Sequence, residues 1–372
     1  MIVPRAGREG VACVPPAGLG YTVRVFGLAA VIAPGQERKM HTRWMRAAVL
    51  LVITAMTGCG GRETGSRPLT LAVIPQGSTH EYWKSIHAGA VKATQELAAA
   101  GTPVNIIWKG PLREDDREQQ TQVVEGFISQ GVQGIVLAPF DSRALVRPVE
   151  EAARAGIPTV VIDSALETTQ IVSYIATDNR KGGALAADRI AELLRGNGKV
   201  LLLRYQEGVA STQAREEGFI ERLHAAHPGI QLISSNQYAG ATRDTAKRAS
   251  ENLLTRHGAE IQAVFTPNES STAGMLLALQ DIQKAGKIHH VGFDTSAAFL
   301  DALRTGQLQG IVVQDPFRMG ELGVRALVDH LQGRPVEKRV DTGATLMTAA
   351  NMASPEGQRL LHPPLGRYLG NP

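Results

Sequence analysis

From Leu69 onward the chain alternates short apolar runs with longer stretches whose apolar residues recur at helical spacing. Runs such as LTLAVI (Leu69–Ile74), GIVL (Gly134–Leu137) and TVVI (Thr159–Ile162) offer almost no polar face, so they predict strands buried on both sides. The same reading predicts strands at 104–108, 171–176, 199–203, 230–234, 263–266, 289–293 and 310–313. It predicts helices at 82–99, 118–130, 144–155, 181–194, 213–224, 242–255, 272–284, 297–304 and 320–331. Doubly buried strands alternating with helices imply parallel sheets covered on both faces. About ten strands in roughly 300 residues suit an α/β chain of two doubly wound parallel-sheet lobes. A single (β/α)₈ barrel is the rival fold, and the strand count exceeds it.

The pattern before Leu69 is different. Arg43 and Arg46 precede an unbroken run from Ala47 to Met56, apolar but for Thr54, and the small pair Thr57-Gly58 leads to Cys59. Ten residues are too few to span a bilayer, which needs about 20, but suit the core of a signal peptide. Met56-Thr57-Gly58-Cys59 resembles a bacterial lipobox, with Met56 in place of the usual leucine and Cys59 as the lipidated residue. Residues 40–58 are therefore read as a lipoprotein signal peptide, and the polar, Gly- and Pro-containing stretch 59–68 as a flexible tether. Residues 1–39, with four prolines and no sustained periodicity, are read as a non-native upstream extension outside the fold, with translation beginning at Met40; a disordered extension is the alternative.

Charge changes one conclusion. The whole chain carries a formal +4, but residues 1–58 hold seven cations and two anions, so the remainder stands at −1. A body that near neutral has no electrostatic footprint for nucleic acid. The only cysteines are Cys13 and Cys59, which excludes a disulfide framework or a cysteine metal site in the body. No P-loop, HExxH, GxSxG or CxxC arrangement is found, so no cofactor, metal or catalytic residue is assigned.

In open parallel sheets ligands bind beyond the carboxyl ends of the strands. Polar residues stand there repeatedly: Asp141, Asp163, Asn268, Asp294 and Gln314 each follow an apolar run, and His80, Tyr82 and Trp83 follow the first. Arg215 opens a helix after a strand. Each has an ordinary alternative. The Asp and Asn residues are natural helix caps, the aromatics could be core, and Arg215 could pair with Glu216 or Glu217 on a solvated face. Together they suit a sugar. Trp83 can cover an apolar C–H face; Asp163 and Asp294 accept from hydroxyls, Arg215 donates, and Asn268 and Gln314 do both.

These residues lie in segments that resemble the periplasmic sugar-binding proteins of the ribose-binding type, relatives of the effector domains of LacI-type repressors. The resemblance covers residues 69–350 through EYWKSIHAGA, GIVLAPFDSRAL, GIPTVVIDS, VSYIATDNRKGG, STQAREEGF, AVFTPNES, VGFDTS and VVQDP, in the family's order. It implies a type I periplasmic binding protein fold, two lobes joined by a three-crossing hinge. The first lobe would be 69–176 plus 315–341 and the second 177–314 plus 342–362. It implies His80 as a polar ligand contact, Tyr82 and Trp83 as stacking aromatics, and Asp163, Arg215, Asn268, Asp294 and Gln314 as hydroxyl-binding groups. Ser164 and Ala241 depart from the ribose binders, which carry an arginine and an aromatic there. WKGPLREDDREQQ is similar to relatives that take other sugars or furanosyl signals.

The implied activity is capture of a sugar-like ligand by lobe closure and delivery to an ABC permease, by an exported, envelope-anchored monomer. Presentation of the ligand to a chemoreceptor or sensor kinase is the alternative. A LacI-type repressor would need a DNA-binding headpiece where the signal peptide stands, and a glycosidase-like enzyme could use Asp163 and Asp294 as its carboxylate pair. Replacing Cys59 by Ser is expected to move the protein from the membrane to the soluble fraction on cell fractionation; continued membrane association contradicts the lipobox reading.

Overall fold

The computed structural model describes residues 67–370 apart from residue 79. The extension, the signal peptide, Cys59 and all but the last two residues of the tether lie outside the described residues. Two six-stranded sheets form the frame. The first contains β1 (Leu69–Ile74), β2 (Val104–Trp108), β3 (Gly134–Leu137), β4 (Thr159–Ile162), β5 (Ser173–Ala176) and β11 (Arg339–Asp341). Their spatial order is β11-β5-β4-β3-β1-β2, all neighbours parallel. The second contains β6 (Gly198–Arg204), β7 (Ile230–Tyr238), β8 (Ala263–Phe265), β9 (His289–Phe293), β10 (Gly310–Val313) and β12 (Thr345–Met347). It repeats the pattern as β12-β10-β9-β8-β6-β7, with β12 antiparallel to β10.

The strand order reverses beside β1 in one sheet and β6 in the other, which opens a crevice at each set of carboxyl ends. Alternate side chains of each strand feed the two covering layers. In β1, Leu71 and Val73 join one core with α1 (Glu81–Ala99) and α9 (Pro316–Leu331). Ala72 and Ile74 join the other with α2 (Arg117–Gln130) and α3 (Val146–Arg154). In the second lobe, α4 (Asn179–Leu193) and α5 (Ala210–Ala226) cover one face of the sheet. The other face is covered by α6 (Arg243–His257), α7 (Glu269–Asp281) and α8 (Ala297–Arg304).

The chain passes between the sheets after β5, after β10 and after β11. The tail adds a further tie: α10 (Pro355–Leu361) packs into the second lobe through Leu360 and Leu361, while α11 (Leu365–Leu369) lies against α1. Tyr368 meets Phe317 with ring centroids 5.7 Å apart.

Several elements differ from the sequence-based expectation. Helix α9 begins at Pro316 rather than 320, because the Asp315 side chain caps it by accepting from the Arg318 N–H. Helix α7 begins at Glu269 rather than 272, for the same reason at Asn268, and ends at Asp281 rather than 284. Strand β7 runs on to Tyr238 through the polar SSNQY, with register shifts against β6. The short elements β11, β12, α10 and α11 lie beyond residue 331, where the apolar pattern predicts no element.

Each lobe contains a helix pair that meets backbone to backbone at glycines. A Cβ on Gly89 of α1 would stand 1.9 Å from the Phe317 carbonyl oxygen, and one on Gly320 of α9 2.0 Å from that of Ile86. In the second lobe a Cβ on Gly183 of α4 would stand 1.9 Å from the Arg215 carbonyl oxygen, and one on Gly218 of α5 2.1 Å from that of Arg180. Gly183 thus sets how close the Arg215 backbone comes to α4. Gly183→Ala is expected to cost about 1–3 kcal/mol from overpacking, although alanine favours a helix by about 1 kcal/mol. Urea unfolding measures this; an unchanged midpoint contradicts the close packing.

Candidate functional site

Eight of the nine residues singled out from the sequence, all but Asp141, line one cavity between the lobes: His80, Tyr82, Trp83 and Asp163 from the first, Arg215, Asn268 and Asp294 from the second, and Gln314 at the end of β10. Asp163 and Asp294 directly follow β4 and β9, and both adopt left-handed backbone geometry, with φ of 65° and 66°. Such a conformation costs about 1–3 kcal/mol and is most tolerable for Asp and Asn. It turns each carboxylate across the end of its sheet, and that of Asp294 also meets the first N–H of α7, at Glu269.

Asp163 accepts from the Tyr82 hydroxyl at 2.5 Å and from Gln76 Nε2 at 3.1 Å. Burial raises its pKa to about 6, against the opposing pull of Arg215 and the Tyr82 hydrogen bond. Asp294 accepts from Gln314 Nε2 at 2.7 Å and from the Glu269 backbone N–H at 3.2 Å. Burial raises it too, with Arg215 opposing. Arg215 is 2% exposed. Its Nε donates to Asn179 Oδ1 at 2.7 Å and its Nη1 to the Pro267 carbonyl at 2.9 Å. The guanidinium carbon lies 3.9 Å from the centre of the Phe293 ring, and Nη1 lies 3.9 Å from Asp294 Oδ2. The Gln314 Oε1 atom is buried with no hydrogen-bond partner among the described residues.

The ordinary readings fare unevenly. Asn268 does cap α7, accepting from the Ser271 N–H in a capping box, while its Nδ2 reaches Ser270 Oγ at 3.2 Å. Asp141 closes a turn, accepting from the N–H groups of Arg143 and Ala144 at 2.9 Å each. The solvated pairing of Arg215 with Glu216 is overturned. Glu216 is fully buried and faces the other way, accepting from Arg204 at 3.0 Å and from the Tyr205 N–H at 3.0 Å. Trp83 is both core and cleft wall: it is 3% exposed, lies edge-on to Tyr82 at 5.0 Å and donates from Nε1 to Glu114 at 2.6 Å.

Sequence reasoning missed Gln76, Glu114, Tyr205, Ser211, Thr212 and Glu269 on the same cavity wall. Gln76 and Tyr205 lie within two residues of the ends of β1 and β6, so the strand-end rule could have found them. Glu114, in the loop between β2 and α2, carried no such signal. One of its oxygens accepts from Trp83 and from His80 Nδ1 at 2.9 Å, the other from the Tyr205 hydroxyl at 3.1 Å. Burial alone would raise Glu114, but hydrogen bonds from His80, Trp83 and Tyr205 outweigh it and hold the carboxyl below its usual range. The same hydrogen bond raises the His80 imidazole against burial. The two shifts agree in direction, each favouring the charged form of its group.

The Glu114–Tyr205 bond joins the lobes directly, and others do likewise. Ser142 N–H donates to the Gly208 carbonyl at 3.0 Å, Arg117 to that of Glu207 at 2.9 Å, and Ser211 N–H to Ser164 Oγ at 3.2 Å. Phe140 packs with Tyr205 and Val209, all three 1% exposed. The lobes are closed on one another, leaving about 40 Å³ among these side chains. A sugar ring therefore enters only when the lobes part. Among the described residues, no group of three or more His, Cys, Asp or Glu is placed to hold a metal ion.

Residues 71–335 match the protein family described as the periplasmic binding protein domain, and the chain belongs to that family. The ribose import binding protein of Bacillus subtilis (strain 168) is 35% identical over 236 residues, which are 63% of this chain and 75% of that protein. A carbohydrate transporter solute binding protein from Agrobacterium radiobacter, solved in complex with D-arabinose, is 31% identical with a TM-score of 0.74. The match covers 79% of this chain and 99% of that one. An ABC transporter solute binding protein from Agrobacterium vitis, solved with bound D-fucose, is also 31% identical with a TM-score of 0.74, over 79% and 100% of the two chains. Family membership places the protein outside the cytoplasm.

The Asp163 shift has a stability consequence. A carboxyl raised from 3.8 to about 6 favours the folded state when neutral. That contribution is fully present below the unfolded value and is lost as pH rises through about 6, up to about 3 kcal/mol for two pKa units. Urea unfolding between pH 4 and 7 is expected to show the wild type losing stability relative to Asp163→Asn as pH rises; parallel profiles contradict the buried, destabilised carboxylate.

Proposed function

We propose that the protein captures a sugar or similar polyhydroxylated molecule by closing its two lobes around it, and delivers it to an ABC importer. The observation that carries this reading is the convergence of donors, acceptors and aromatics from both lobes on a single interlobe cavity. A sugar presents apolar C–H faces and hydroxyls that donate and accept at once. Tyr82 and Trp83 answer the first; Asp163, Asp294, Arg215, Asn268 and Gln314 answer the second. Relatives that bind ribose, D-arabinose or D-fucose support the same ligand class.

Binding works by selection of the closed form. Ligand contacts made to both lobes exist only when they meet, and that difference in affinity shifts the population towards closure. Because the site's polar groups are buried, an analogue lacking a hydroxyl leaves one of them unpaired and is rejected. A permease then reads the closed surface. No covalent step is required, so the protein acts as a carrier and not as an enzyme. We further assign it as a monomer held to the envelope through lipid on Cys59.

Titration calorimetry against a panel of pentoses, hexoses and their deoxy derivatives tests the reading. At least one intact sugar is expected to bind and to be released unchanged. Trp83→Ala and Arg215→Ala are each expected to weaken binding by about 1 kcal/mol or more while the fold is retained. Wild-type affinity in both variants removes these residues from the site.

A further inference from the structure

Outside the inner cavity lies a second, larger one of about 630 Å³, and the two share His80, Tyr82, Glu114 and Glu269. The inner space of about 40 Å³ is little more than the roughly 30 Å³ share of one water molecule in the liquid. The outer volume lies within the roughly 300–1,000 Å³ range of small-molecule sites. Ala241, Ser296 and Ala298 line it with side chains too short to fill it, and Lys84, Arg113 and Asp115 give its wall both signs of charge.

Glu269 stands where the cavities meet, and its side chain is 9% exposed. One carboxylate oxygen pairs with Arg243 at the outer rim. The other, Oε2, is buried and finds no hydrogen-bond donor among the described residues; His80 Nδ1 is 4.0 Å away and engaged with Glu114. A buried acceptor without a donor costs about 1–3 kcal/mol, more when charged. Since Arg243 already balances the charge, what Oε2 lacks is a hydrogen-bond donor and not a cation.

We infer that Glu269 and the outer cavity form a second subsite that takes a hydroxyl-bearing extension of the sugar held at the inner site. The ligand is then of the disaccharide class, with one ring among the inner residues and an outer ring donating a hydroxyl to Glu269 Oε2. The inference rests on the sugar-capture reading above. It makes Glu269 a specificity-determining residue for ligand length.

Calorimetry with galactose, glucose, ribose, arabinose and fucose, alongside lactose, melibiose, maltose and cellobiose, tests it on the full folded protein. At least one disaccharide is expected to bind tenfold or more tightly than its constituent monosaccharides. Ala298→Trp, at an exposed position facing only the outer cavity, is expected to weaken that disaccharide tenfold or more and to leave monosaccharide affinity unchanged. Glu269→Gln, with retained thermal unfolding, is expected to lower the advantage of the disaccharide. Monosaccharide binding with no gain from any disaccharide, or a gain that survives Ala298→Trp, overturns the outer subsite and leaves the inner site standing. If no sugar of either size binds the wild type, the sugar-capture reading fails and this inference falls with it.

Discussion

The cleft depends on holding one buried guanidinium opposite a carboxylate, Asp163, that arrives from the other lobe. Arg215 is fixed entirely from its own side: Asn179, the Pro267 carbonyl, Asp294 and the Phe293 ring all belong to the second lobe. Asp163 is fixed from the first lobe by Tyr82 and Gln76. Each half is therefore organised before the lobes meet, and little ordering remains to be done on binding. Removing water from such charges is costly, several kcal/mol per ion, unless new partners replace it. That cost keeps the two carboxyls raised in the closed form, and a ligand's hydroxyls can relieve it.

Opposing that cost are contacts that close the lobes without passing through the centre of the site. Phe140 packs on Tyr205 and Val209 at one end, and backbone groups of Ser142, Gly208 and Glu207 are paired across the gap. Glu114 ties the two effects together. It is charged, buried and satisfied by three donors, one of them from the opposite lobe. The closed form thus sets desolvated charge against lobe-to-lobe contact, and a ligand that relieves the first favours closure.

Much of this was legible in the sequence because a parallel sheet writes itself plainly. Runs such as GIVL and TVVI form single strands whose bounds match the pattern, and eight of the polar and aromatic residues picked from the sequence meet on one cavity. What escaped had weak local signals. RVD and TLM form strands of three residues only because β5 and β10 offer edges to pair with. Helices α7 and α9 start early because Asn268 and Asp315 cap them, a feature that apolar spacing does not record. The left-handed backbone at Asp163 and Asp294 follows from tertiary context, and so does the turn of Glu216 away from solvent. Glu114 comes from a loop whose acidic run, REDD, reads as surface until it is seen inserted beneath Trp83 and Tyr205.

The most direct test of the central claim is mass spectrometry of the small molecules released when protein purified from its native envelope is denatured. The account predicts a neutral, polyhydroxylated compound at close to one per chain, recovered chemically intact. Stoichiometric recovery of an amino acid, a peptide or a lipid in its place would contradict it.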